Sequence, residues 1–139
     1  LAKAVEWYRK AADQGHAASQ NNLGLFYLNG KSVARDLTQA FALFEKSAAQ
    51  KDNWGLNNLG GMYEMGWGTA QDPQKALELY RESSDLGNAN AKQNLERLET
   101  KMGVAKKPKA EEGEKNSQAQ DGDRATIARD GEKPEPSAN

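Results

Sequence analysis

Asn22-Leu23-Gly24-Leu25-Phe26-Tyr27-Leu28-Asn29-Gly30 returns 36 residues later as Asn58-Leu59-Gly60-Gly61-Met62-Tyr63-Glu64-Met65-Gly66, with Asn-Leu, Gly, Tyr and the closing Gly unchanged. The same offset carries Asp36 onto Asp72, and Ala4 onto Ala40 and Ala76. It carries Tyr8 onto Phe44 and Tyr80, and Ala12 onto Ala48 and Ser84. Asn94-Leu95-Glu96 is a third, partial copy, and Gly15 returns as Gly87 with Lys51 between them. So many equivalences at one ungapped offset mark an internal repeat, the sequence signature of a stacked array.

Each period reads as two helices. Ser19, Leu23, Phe26 and Tyr27, then Gly55, Leu59, Met62 and Tyr63, fall at i, i+4, i+7 and i+8, which is one helical face. Ala40, Phe41, Phe44 and Ala48 form a second face, repeated by Ala76, Leu77, Tyr80 and Ser84. Asp36 and Asp72 precede these second helices, where a carboxylate accepts from free backbone N–H groups and favours the positive end of the dipole. Pro73 suits a first helical position, whose N–H needs no partner. Gly15, Gly30, Gly66 and Gly87 stand where helices should end in a left-handed cap. Gly24 and Gly60 fall inside a helix, at a cost of about 1 kcal/mol each relative to Ala. Close helix–helix approach explains that cost, with Ala40, Ala48 and Ala76 as further small contacts and Tyr27, Phe44, Tyr63 and Tyr80 filling the space between layers. The expected fold is all-α, a right-handed α-α solenoid of helix–turn–helix units with period 36.

Composition narrows the function classes. The net charge is −1, from 19 basic and 20 acidic residues, which gives no electrostatic footprint for nucleic acid or an anionic membrane. No run of about 18 apolar residues exists to span a bilayer. With no cysteine and one histidine, cysteine catalysis, disulfides and a transition-metal site lose their usual ligands. His16 follows Gly15 and is expected to be a turn residue. Gly66-x-Gly68 lacks the preceding strand that nucleotide binding requires. We expect no catalytic residue, metal or cofactor. The compartment is not readable from these features.

The organisation follows from the period. Half a unit (1–15), two full units (16–51 and 52–87) and half a unit (88–101) precede a charged segment (102–139). That segment holds three of the four prolines, no aromatic residue, and only Val104 and Ile127 as larger aliphatics. It cannot bury enough apolar area to offset ordering at about 1–2 kcal/mol per residue, and is expected to be disordered. Mean hydropathy is −0.94, in keeping with such a division. Further repeats are expected upstream of Leu1.

The pattern Asn22-Leu23-Gly24, Tyr27, Gly30, Val33, Asp36 and Ala40, closing with Ser47-Ala48-Ala49, resembles the Sel-one-like repeat, a relative of the 34-residue tetratricopeptide unit. Asn58-Leu59-Gly60, Tyr63, Gly66-Trp67-Gly68, Asp72 and Lys75-Ala76 match it again, and Trp7 to Ala17 looks like one unit running into the next. Departures are Thr69 for Val33, Lys51 for Gly15, Ser83-Ser84 for Ala-Ala, and the larger change of Glu96 for Gly24. The resemblance implies a protein- or peptide-binding scaffold, with roles in signalling, assembly or the envelope. It leaves two alternatives: an interaction module of a larger enzyme or envelope protein, and a β-lactam-binding or -hydrolysing relative. The latter subgroup is cysteine-rich, unlike this chain.

If Leu23, Gly24 and Tyr27 face the interior as in similar repeats, another face of each first helix lines a concave groove. The expected partner-binding residues there are Asn21, Asn22, Leu25, Trp54, Asn57, Asn58, Met65, Gln93, Asn94 and Arg97, beside Asn29, Gly61 and Asn90. Two uses compete for the ladder Asn22, Asn58 and Asn94. One is hydrogen bonding within the array, and the other is contact with a bound peptide backbone, since an amide both donates and accepts. Trp54 is an apolar anchor if exposed. Trp7 and Trp67 are expected to pack.

Overall fold

The structure, a computed structural model, describes residues 2–104, and the segment expected to be a disordered tail lies outside the described residues from position 105. Six helices follow one another: α1 (Ala2–Asp13), α2 (Ala17–Asn29), α3 (Leu37–Ala49), α4 (Asn53–Met65), α5 (Pro73–Asp85) and α6 (Ala89–Met102). No strand occurs among the described residues. The starts of α2, α4 and α6 are spaced by the period, as are those of α3 and α5. The chain is an all-α solenoid.

Side chains set these starts. Asp36 and Asp72 accept from the backbone N–H of Gln39 and Lys75, each at 3.1 Å, at the heads of α3 and α5. His16, Asp52 and Asn88 share one register and do the same for α2, α4 and α6. They accept from the N–H of Ser19, Gly55 and Ala91 at 3.3, 2.9 and 2.8 Å. His16 is thus a helix cap, and its Nδ1 also lies 2.7 Å from Ser19 Oγ. Each first helix ends on a left-handed glycine, Gly30 (φ 69°), Gly66 (φ 72°) and Gly103 (φ 69°). The second helices end at Gly15, Lys51 and Gly87, all with positive φ.

Lys51 holds this left-handed turn (φ 63°) with a side chain attached. A β-carbon there costs roughly 1–2 kcal/mol, against about 0–1 kcal/mol for the exposed Lys51–Glu82 ion pair. Lys51→Gly is therefore expected to raise stability by about 0.5–1 kcal/mol in urea denaturation.

The helices form two layers: α2, α4 and α6 in one, α1, α3 and α5 in the other. Packing between the layers rests on size. Phe44 and Tyr80, both fully buried, lie against Gly24 and Gly60. A β-carbon on Gly24 would stand 2.7 Å from Phe44 Cε1, and one on Gly60 would stand 2.9 Å from the Tyr80 ring. The close approach expected of the interior glycines is therefore real. Glu96 holds the same register in α6, yet it is exposed, and among the described residues no helix follows to lay a ring over it. A glycine is required only where a ring covers it.

The core runs continuously through the stack. Val5, Ala12, Leu23 and Leu43 form one cluster, and Leu25, Leu28, Ala40, Phe44, Leu56, Leu59, Met62 and Trp67 belong to the central one. Ala76, Leu77, Tyr80 and Leu98 close the other end. Trp67 packs as expected. Trp7 does not: it is 71% exposed, whereas Leu43 and Leu79 at the same register are buried. Leu43 clusters with Leu23 of α2 and Leu79 with Leu59 of α4, while no described first helix lies over the corresponding face of α1.

Candidate partner-binding face

The first helices present one residue row per register. Ala18, Trp54 and Asn90 lie at one level, and Asn22, Asn58 and Asn94 at the next. Leu25, Gly61 and Arg97 follow, then Asn29, Met65 and Lys101. Burial separates these rows. Asn21, Asn57 and Asn58 are 0% exposed, and Asn22, Leu25 and Asn94 are buried as well. Trp54, Met65, Asn90 and Arg97 are half-buried, and Gln93 and Asn29 are exposed.

Hydrogen bonding explains the buried amides. Asn58 Nδ2 donates to Asn21 Oδ1 at 2.9 Å, and Asn94 Nδ2 donates to Asn57 Oδ1 at 3.0 Å. Each bond spans 37 residues, one more than the period, so the ladder runs diagonally from one first helix to the next. A buried amide left unbonded costs about 1–3 kcal/mol, and pairing amide with amide removes most of that. The array therefore uses Asn57, Asn58, Asn94 and the Asn21 oxygen internally. A bound chain cannot touch Asn21, Asn57 or Asn58 without separating the helices. For these three side chains the structure replaces expected partner contact with helix-to-helix pairing. Asn21 Nδ2 and Asn22 Oδ1 are buried with no hydrogen-bond partner.

Arg97, expected on the groove wall, is instead held sideways. Its two terminal nitrogens donate to Glu64 at 2.7 and 2.9 Å, and Tyr80 Oη donates to the same carboxylate at 2.7 Å. Glu64 is buried. The bond to Glu64 raises the Arg97 pKa, partly offset by burial. Because the value rises on folding, this stabilisation is present below the ordinary guanidinium range and is lost only above it. A second buried carboxylate, Glu99, accepts from Arg81 at 3.2 Å. The corresponding pair at the other end is Arg9 donating to Tyr27 Oη at 3.1 Å, which likewise raises the Arg9 pKa.

Glu64 is a functional residue outside the repeat pattern, although the sequence carries a signal for it. Glu64, Tyr80 and Arg97 stand where the preceding register has Leu28, Phe44 and Gly61. Three apolar or small residues become an acid, a phenol and a base together, which is the mark of a polar joint between α4, α5 and α6.

Among the described residues no group of three or more His, Asp or Glu is placed to hold a metal, and no helix is long and apolar enough to cross a membrane.

Helix pairs of this length, glycines under aromatic rings and left-handed glycine caps at fixed spacing define the unit, and the Sel1 repeat family model matches residues 1–16, 17–52 and 55–88. The chain belongs to the Sel1 repeat family. Solved structures agree. A Sel1 repeat protein from Oxalobacter formigenes is 34% identical, with a TM-score of 0.64 over 67% of this chain and 70% of that one. A protective antigen present in uropathogenic Escherichia coli strains, displaying an SLR fold, is 39% identical with a TM-score of 0.71. That match covers 76% of this chain but only 23% of the antigen. Cysteine-rich protein B of Helicobacter pylori is 27% identical, with a TM-score of 0.62 over 66% of this chain and 68% of that one. Curated proteins give no match. Sel1 repeats commonly build protein-interaction scaffolds and are generally non-catalytic.

Proposed function

We propose that this Sel1 repeat chain is a non-catalytic adaptor that binds a protein or peptide across the face of α2, α4 and α6. One observation carries this reading. Trp54 and Met65, two large apolar side chains, are only half-buried on α4, the middle helix of that face, while the amides beside them are tied into the array. The asparagine pairs tie α2, α4 and α6 to one another along the groove, and the tryptophan and methionine supply the apolar contact. Asn90 and Gln93 on α6 and Asn29 on α2 form a polar rim. A platform tied together in this way saves a partner part of the ordering cost of binding, and aromatic anchors at the centre of an interface dominate its energy.

The test is affinity capture from source-cell lysate with the whole chain and with a Trp54→Ala/Met65→Ala variant. A hot-spot tryptophan is worth about 2 kcal/mol or more, so retention of the partner should fall by roughly 30-fold. Helical circular dichroism should not change. Equal retention by both proteins would move the site off this face. Turnover of the β-lactam nitrocefin by the purified chain would overturn the non-catalytic reading.

A further inference from the structure

Charge is spread unevenly over the face of α2, α4 and α6. In a chain that is 28% charged, α2 holds no charged residue and α4 holds one, the buried Glu64. Cations enter this face only on α6, where Arg97 continues the row of Leu25 and Gly61, and Lys101 the row of Asn29 and Met65. Arg97 is neutralised by Glu64 at 2.7 Å. Lys101 is exposed and enters none of the ion pairs among the described residues. Glu96 and Lys92, also exposed on α6, hold the registers of Gly24 and Gly60 and of Gln20 and Leu56, which face the second layer. A basic residue in a last turn complements the negative end of the helix dipole. Yet α2 and α4 end without one, so the fold does not require a cation at this register.

We infer that the occupant of this face is an extended protein segment carrying an apolar residue and, about three positions from it, an aspartate or glutamate. The apolar side chain lies on Met65 and the carboxylate on Lys101, with Arg97 one helical turn away. The spacing follows from the array. Met65 and Lys101 hold one register on neighbouring first helices, packed helix axes stand roughly 8–10 Å apart, and an extended chain rises about 3.3 Å per residue. Because the bed on α2 and α4 is uncharged, a carboxylate meets attraction only at the α6 edge, which fixes the direction in which the segment crosses. The inference rests on the reading of α2, α4 and α6 as the partner-binding face.

Other charged ligands fit less well. A nucleic acid or an anionic bilayer is held by several cations at once, and this face offers Lys101 beside an arginine already neutralised. A basic segment would meet repulsion at Lys101 and no exposed carboxylate on α2 or α4. A protein segment with one acid next to an apolar anchor matches both features of the face.

The probe is a library of random peptides displayed on phage and selected on the whole chain. Selected peptides should carry Asp or Glu about three positions from Leu, Ile or Phe. For a synthetic copy of the best binder, Lys101→Glu should raise Kd about fivefold or more, the scale of one exposed ion pair. Exchanging the peptide's acid for lysine should restore binding to the Lys101→Glu chain, a rescue that a frayed α6 would not give. Peptides that lose binding to Trp54→Ala/Met65→Ala, yet show no acid preference or no response to Lys101→Glu, overturn this inference and leave the face standing. Peptides indifferent to both variants, or no enrichment at all, overturn the face and the inference together.

Discussion

Arg97→Met is expected to cost about 3 kcal/mol, near the lower end of the range for leaving a buried charge without its partner. The Glu64 carboxylate is 5% exposed and would retain only the Tyr80 hydroxyl of the two partners described above. The lower end applies because the Arg97 side chain is 36% exposed, so its removal admits water to the carboxylate. The pair itself need not add stability, since two ions are desolvated to make it. That distinction is measurable. A triple variant, Glu64→Leu/Tyr80→Phe/Arg97→Leu, restores side chains that this chain already uses at those registers in Leu28, Phe44 and Leu25. It should fall within about 1 kcal/mol of the natural protein. Urea unfolding of both variants, with hydrogen exchange across residues 89–102, reads the outcome. In a stacked array the terminal element opens first, so Arg97→Met should release α6 before the rest. A loss below 1 kcal/mol would mean that Glu64 is solvated in the folded chain.

Phe44→Ala should cost about 3–5 kcal/mol, because the ring is wholly buried among α2, α3 and α4 and its loss leaves a cavity. The reciprocal change, Gly24→Val, should cost about 1–3 kcal/mol by forcing branched carbon into the ring. Together the two changes should cost less than their sum by at least about 1 kcal/mol, because the valine fills part of the space the ring vacates. Strict additivity in thermal unfolding would show that the glycine serves some other purpose.

The Asp36 and Asp72 caps, the glycine helix ends and the close approach at Gly24 and Gly60 were legible because each recurs at the period, and recurrence reveals equivalence. Contact is a different relation. The asparagine ladder shows the gap: Asn22, Asn58 and Asn94 are equivalent, but the bonds join Asn58 to Asn21 and Asn94 to Asn57. Neighbouring helices are staggered by one residue, which a list of equivalent positions does not contain. Arg97 was assigned to the groove because its row lies there, yet a long flexible side chain reached back to Glu64 instead. Trp7 was expected to pack, as its register mates Leu43 and Leu79 do. Its exposure depends on what lies over α1, a property of the stack rather than of position 7. His16, expected to be a turn residue, shares the register of Asp52 and Asn88, and its capping bond to Ser19 N–H adds a role that the register alone does not give.

The one-residue stagger of the amide bonds bears on how such a gene can change length. Duplicating or deleting a block between equivalent positions reproduces every amide pair, since each bond depends on the same two places in adjacent blocks. A block one residue shorter would bring Leu59 or Leu95 to the polar seam, and one residue longer would replace the paired asparagine by its neighbour Asn57 or Gln93. Recombination is therefore confined to whole-unit steps, and not every crossover point is equal. Glu64, Tyr80 and Arg97 straddle the boundary between adjacent units, so an exchange that separates them strands an ion in the interior, whereas one upstream of Glu64 inherits the joint intact.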